Sequence, residues 1–427
     1  MSTRTAAYLL SGLVIAASCR TAGRQGAIAH PTAMQRPNTP KPTPPSGSPL
    51  LHRILTAPGS GFMEVFRNPS RYNLQVVYTE IRPDGRGGRA FTDHTFNLDP
   101  GNYFYPASTV KMPVAVLALQ RLRELGVPGL DRNSTMTTEA AYSGQTPVYN
   151  DPTAPDGRPT IAHYIKKILL VSDNDAYNRL FEFLGPAYIN RELRKRGYTE
   201  AEIIHRLEIS LTEDENRHTN PVVFSDAAGR VLYRQAAAHH REPYAARSEK
   251  LGLGYMKGGR KIEGPMDFSR KNRISLLSLH RILQSVMYPE SVPASARFNL
   301  SEDDLRFLRE FMSATPSSAG HPPYDRLTYY DTYCKFLYFG ADPSLTIPSD
   351  MKVYNKVGDA YGHLLDIACF EDLRSGSSFL LSAVAYCNSD GILNDNRYDY
   401  DSLGFPLLRE IGRRVFEHDR AESLRPR

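Results

Sequence analysis

Two β-rich stretches lie at opposite ends of this chain, with helical patterning between them, and a sheet must be assembled from both. Leu74-Gln-Val-Val-Tyr-Thr-Glu-Ile81 is rich in β-branched residues and runs into the turn-forming cluster Arg-Pro-Asp-Gly-Arg-Gly-Gly. A second strand over Ala90 to Leu98 completes a hairpin. Strands return only late, at Met351 to Asn355, His363 to Phe370 and Phe379 to Cys387. Between them, apolar spacing predicts helices over Ser108–Leu125, Ile161–Leu170, Asp175–Leu184, Ser225–Gln235, Ser275–Met287 and Ser301–Met312, with a closing helix at Phe405–Phe416. The fold class that follows is α+β: an antiparallel sheet built from both chain ends, packed with helices, plus a helical lobe.

The ends and the composition narrow the setting. Arg4 precedes an apolar run, Ala6 to Ala17, that stops at Ser18-Cys19-Arg20. That run is short for a membrane span and reads as a signal peptide over 1–19. Ala16-Ala17-Ser18-Cys19 resembles a bacterial lipobox, which implies lipidation of Cys19 and an exported, lipid-anchored protein at the cell envelope; simple cleavage and secretion is the alternative. Residues 20–55 are rich in Pro, Thr and Ser and read as a tether. The remainder, 56–420, is expected to be one folded domain with an insertion at about 236–348. Hydrophobic residues make up 41% of the chain and charged ones 23%, as in ordinary globular proteins. The net charge of +6 comes with no zinc-finger spacing, RNP-like run or long basic block, so nucleic acid is not an expected partner. Once Cys19 is set aside, Cys334, Cys369 and Cys387 allow one disulfide at most, and buried free thiols are expected. The twelve histidines show no metalloprotease spacing; the adjacent His239 and His240 read as surface residues, and neither a metal nor a cofactor is expected.

Three short patterns carry chemistry. Ser108-Thr-Val-Lys111 opens a helix whose C-terminal cap is Gly126. Residues three apart share a helix face, so the Lys111 amine sits beside the Ser108 hydroxyl, which needs a neighbour to take its proton. A second match, Ser349-Asp-Met-Lys352, runs into a strand and cannot share a helical face. Ser172-Asp-Asn174 stands between two helical runs, where all three residue types also serve as caps. Lys356-Val-Gly358 follows a strand and precedes Asp359 and two further β-rich runs, unlike the Lys-x-Gly copies at Lys250 and Lys257.

In this order, Ser-x-x-Lys, Ser-Asp-Asn and Lys-x-Gly resemble the signature of the class A serine β-lactamases and the penicillin-binding proteins. Phe96-Asn-Leu-Asp-Pro-Gly-Asn-Tyr-Phe-Tyr-Pro-Ala-Ser108 is similar to the segment leading into that family's nucleophile, and Arg206-Leu-Glu208-Ile-Ser-Leu211 to its Ω loop, which Arg217-His-Thr-Asn-Pro221 would close. The resemblance implies an α+β serine β-lactamase or transpeptidase fold and an acyl-enzyme on Ser108. Lys111, or Glu208 through water, would take the proton; Ser172 would relay it to the leaving nitrogen. Asn174 would orient Lys111 and the substrate, Lys356 would supply positive charge, and the backbone N–H groups of Ser108 and Asp359 would form an oxyanion hole. The substrate would be a β-lactam or an acyl-peptide and the protein a monomer. A penicillin-binding-type peptidase or esterase, and a non-catalytic envelope lipoprotein, remain alternatives.

The sequence also departs from the family. Val357 stands where a hydroxyl residue is usual, and Asp359 puts a negative charge where small neutral residues are common. Thr212 replaces the asparagine that helps hold the deacylating water, and His218 the aspartate that pairs with the loop arginine. Acylation is therefore better supported than rapid deacylation.

Overall fold

Alternate side chains of one strand face opposite sides of a sheet, and the hairpin at Gln75–Pro83 and Arg89–Phe96 obeys this on both sides. Val77 and Ile81 join one buried cluster, Val76 and Tyr78 the other. The computed structural model describes residues 47–142 and 144–425, all within one compact unit. The signal segment 1–19, Cys19 and the tether up to residue 46 lie outside the described residues.

The main sheet has five antiparallel strands in the order Met351–Ala360, His363–Asp372, Ser377–Tyr386, Gln75–Pro83, Arg89–Phe96. Pairing of Val77 with Ser382 and of Tyr78 with Leu381 joins the N-terminal hairpin to the C-terminal strands, as expected of a sheet built from both ends. Between Ala360 and His363, Tyr361 and Gly362 both take positive φ (52° and 78°), the two-residue turn whose twist matches that of its strands.

Helices cover both faces. Pro49–Leu55 and Phe405–Ser423 bury Leu51, Leu55, Leu408, Ile411 and Val415 against one. Leu276–Met287 lies on the other with Leu279, Ile282 and Leu283, next to a lobe formed by Lys111–Leu125, Ile161–Val171 and Asn174–Lys195. Burying each such side chain contributes about 1.5–3 kcal/mol, which fixes the sheet as the platform of the molecule. Cys334, Cys369 and Cys387 are free and buried.

Several expectations need correction. The tether does not reach residue 55: Pro49–Leu55 is a helix with a buried apolar face, so regular structure starts well before Leu74. Ser225–Gln235 is not a helix but parts of two paired strands, Val222–Ser225 and Val231–Gln235. Between them Asp226 Oδ1 accepts from the Ala228 and Arg230 backbone N–H groups, turn chemistry that overrides the apolar spacing. Thr135–Thr138 pairs with Val222–Ser225, so strands are not confined to the chain ends. The helix expected over Asp175–Leu184 runs from Asn174 to Lys195 across a break at Gly185 (φ 71°, ψ 149°). Residues 236–348 contribute to both the core and the periphery. Leu276–Met287 and Glu302–Ser313 belong to the main core, while Lys250–Leu251, Gly254–Lys257, Arg260–Glu263 and Met266–Asp267 form short peripheral strands.

Candidate active site

The approach to Ser108 is a tight turn. Ala107 takes a left-handed φ of 47°, and a 3-10 turn over Ala107–Val110 leads into the Lys111–Leu125 helix. The Thr109 hydroxyl donates to Pro106 O at 2.5 Å and braces the turn. Ser108 is therefore held half-exposed at the mouth, and Lys111, one turn on, is fully buried beneath it.

Ser172 is the left-handed cap (φ 62°) that ends the Ile161–Val171 helix, and Asp173 caps the next by accepting from Ala176 N at 2.8 Å. The capping role of Ser-Asp-Asn thus falls on Asp173, and the side chains of Ser172 and Asn174 face Lys111. Lys111 Nζ lies 2.8 Å from Ser108 Oγ, 2.7 Å from Asn174 Oδ1 and 3.2 Å from Ser172 Oγ, and it also donates to Ser172 O.

The C-terminal strand closes the cluster. Lys356 is 1% exposed, and its Nζ donates to Ser172 Oγ at 2.8 Å and to Val357 O at 2.9 Å. The Ser172 hydroxyl accordingly lies between two amines. Gly358 must be glycine for this approach. A Cβ there would lie 3.0 Å from Pro106 O, Ser108 N and Thr109 N, all of them backbone atoms. Asp359 is exposed at the strand end, and its charge acts on Lys356 and Lys111.

Burial and the neighbouring Lys356 charge hold the Lys111 amine well below the ordinary lysine range. Burial brings Lys356 down to about 8. Ser172 O and Asn174 Oδ1 can only accept, so when Lys111 is neutral they use both of its N–H bonds and leave its lone pair towards Ser108 Oγ.

Glu208 reaches the same cluster. It sits at φ 64°, and its Oε2 accepts from Asn174 Nδ2 at 2.7 Å, so one amide joins Lys111 to Glu208. The loop is fixed by Asn178, which exchanges hydrogen bonds with the backbone of Leu207, and by Asn216, which accepts from Arg206 N. The arginine's missing aspartate has a replacement. Arg206 Nε donates to Glu182 Oε1 at 2.9 Å, and only the backbone oxygen of His218 is used, at 2.9 Å. Thr212 caps the Glu213–Arg217 turn, its hydroxyl bonded to Glu215.

The structure adds residues that motif reading missed. Lys335 is buried and donates to Met312 O, Val353 O and Asn355 Oδ1 (2.6 Å), while Asn355 donates to Cys334 O and Asp366 Oδ1. This network braces the strand that carries Lys356, with Lys335 brought down to about 8 and Asp366 pushed up to about 6, both by burial. The available signal was a polar residue inside each apolar run, at Lys335, Asn355 and Asp366. Tyr324, Tyr329 and Tyr333 stack edge-to-face at 5.2 and 5.1 Å. Tyr333 leads directly into Cys334 and Lys335, so this segment adjoins the network that braces the Lys356 strand.

Residues 73–238, which include Ser108, Lys111, Ser172, Asn174 and Glu208, match the model of the Beta-lactamase enzyme family. No curated protein matches the chain in sequence. Similar solved structures include a beta lactamase from Xanthomonas campestris pv. campestris, 16% identical over 86% of this chain and 98% of that one, with a TM-score of 0.46. A class A beta-lactamase from Clostridium kluyveri is 15% identical over 82% and 95% of the two chains (TM-score 0.45), and PBP-A is 15% identical over 86% and 94% (TM-score 0.44). The match to the Beta-lactamase enzyme family covers residues 73–238, and the fold sets Lys356, from outside that stretch, against Ser172 in the same serine and lysine cluster.

Proposed function

We propose that the protein is a serine hydrolase that works through an acyl-enzyme on Ser108, with β-lactam amides as substrates in the manner of class A enzymes. The observation that carries this reading is the buried Lys111 Nζ, 2.8 Å from Ser108 Oγ and bonded to two obligate acceptors, an arrangement that in the neutral amine turns the lone pair to the Ser108 hydroxyl. Lys111 takes the Ser108 proton as Oγ attacks the carbonyl carbon. Backbone N–H groups of Ser108 and Asp359 receive the oxyanion, a contribution of about 2.7–4 kcal/mol per donor in such sites. The proton then passes from Lys111 through Ser172 to the leaving nitrogen, the C–N bond breaks and the ester remains. The Lys356 ammonium holds Ser172 in line. In the second half Glu208 takes a proton from water, the hydroxide attacks the ester, and Ser108 recovers its proton as the leaving oxygen.

A slower second half, as in a penicillin-binding peptidase or an esterase, is favoured by three features. Val357 offers no hydroxyl to a substrate carboxylate, Asp359 repels one, and the Thr212 hydroxyl is committed to Glu215. Brief exposure to penicillin followed by intact-protein mass spectrometry tests both readings. A short-lived adduct, lost in Ser108→Ala, supports the β-lactamase; a stable one supports the peptidase. Absence of any adduct with penicillin or a fluorophosphonate would leave only a binding role. We further propose export and lipidation at Cys19, on the lipobox-like Ala16–Cys19 segment. Detergent partitioning of the native protein against Cys19→Ala tests this, and equal partitioning would refute it.

A further inference from the structure

Away from the lysine cluster, the fold gathers three ligand-type side chains, two from one helical turn and its cap and the third from a separate strand. His218 and His239 are direct partners on the antiparallel pair His218–Thr219 and Ala238–His239, so both imidazoles project from one side of the ladder. Asp214 lies four residues before His218 on the Glu213–Arg217 turn, which brings its carboxylate over the same side. His239 Nε2 is 3.0 Å from Asp214 Oδ1 and His218 Nε2 is 3.6 Å from Oδ2. The ligand-type atoms of all three lie within 4.8 Å of one another.

Packing sets this orientation. The Tyr142 ring stacks on His218 at 3.6 Å and His218 on His239 at 4.1 Å, with planes within 4° of parallel. The Tyr142 hydroxyl donates to Asp214 Oδ2 at 3.2 Å, so the carboxylate is held from a third chain segment. Arg217, the adjacent cation, is turned to Glu213 and to the carbonyls of His240 and Glu242. The three side chains are 58%, 20% and 31% exposed, open to an ion from solvent.

We propose that Asp214, His218 and His239 form a binding site for a divalent transition-metal ion, zinc being the best match. Two neutral imidazoles and one carboxylate make a borderline donor set carrying a single negative charge. That set suits zinc at about 2.0–2.2 Å and leaves a position for water, whereas magnesium and calcium prefer oxygen alone. To converge on one ion the two rings must leave their stack and turn about χ1 and χ2 until both Nε2 lone pairs meet, a movement that their exposure permits. Bound there, the ion ties the far end of the Glu208 loop to the Ala238–His239 strand. The site is independent of what Ser108 does.

The test is calorimetric titration of the chelator-treated full chain with zinc chloride, with cobalt(II) absorption as a second probe of the ligand field. The wild type is expected to bind one equivalent at micromolar affinity, and its unfolding temperature to rise with zinc. His239→Ala and Asp214→Asn should each weaken binding by at least about tenfold. Cobalt should give visible bands in the wild type that His239→Ala abolishes, a readout within the intact wild-type fold. Binding no tighter than millimolar in the wild type would overturn the proposal, as would affinity undiminished in either variant.

Discussion

Replacing Glu182 by glutamine tests the substitute that this chain uses to hold its glutamate-bearing loop. Glu182 is 3% exposed and accepts from Arg206 Nε at 2.9 Å and from Arg179 Nη1 at 3.0 Å. Arg179 retains Asp175 at 2.8 Å, but Arg206 has no second carboxylate. Its remaining partners are neutral oxygens: His218 O at 2.9 Å, Asn220 Oδ1 at 3.3 Å and Glu215 O at 3.4 Å. The substitution thus strands a guanidinium whose side chain is 2% exposed. Breaking one side of a buried pair costs about 3–5 kcal/mol. Because the amide oxygen can still accept one N–H, the lower end, about 3 kcal/mol, is expected. Urea unfolding measures it directly, and limited proteolysis should show new cleavage within 206–217. A loss under about 1 kcal/mol, with no new cleavage, would mean that the carbonyl oxygens alone satisfy Arg206 and that Glu182 is not the anchor.

Gly358→Ala should slow labelling by fluorescent penicillin on the order of 10²-fold, because the new methyl displaces the Ser108 turn; wild-type labelling rates would refute this close-approach argument. Acylation requires Lys111 neutral and Lys356 charged, so its rate should rise with pH as Lys111 loses its proton and fall again above about 8 as Lys356 does. A pH–rate profile still climbing at pH 9 would count against these roles. Lys335→Met should destabilise the protein by about 1–3 kcal/mol, since it leaves the buried Asn355 Oδ1 and the Met312 and Val353 carbonyls without their donor; chemical denaturation reads this, and an unchanged midpoint would refute it.

Much of the site was legible because its elements are local. The Ser-x-x-Lys spacing brings Ser108 and Lys111 within 2.8 Å through helical geometry alone, and Ser-Asp-Asn marks a helix boundary by cap chemistry. Where reading failed, a local signal was ambiguous. Ser225–Gln235 has apolar residues that fit a helix, but the Asp226 turn decides for a hairpin. Pro49–Leu55 follows a proline-rich run, yet Leu51, Ile54 and Leu55 find an apolar surface on the C-terminal helix.

From the order of residues alone come the pairing of Ser108 with Lys111, the sheet drawn from both ends and the three buried thiols, since each rests on residue type, periodicity or partners a few positions away. Packing decided that Lys356 meets Ser172, that Glu182 takes over the arginine of the Glu208 loop, and that His218 faces His239. Those contacts join segments whose approach depends on strand register and on which faces are buried together. A buried charge acquires its partner only when those surfaces close around it.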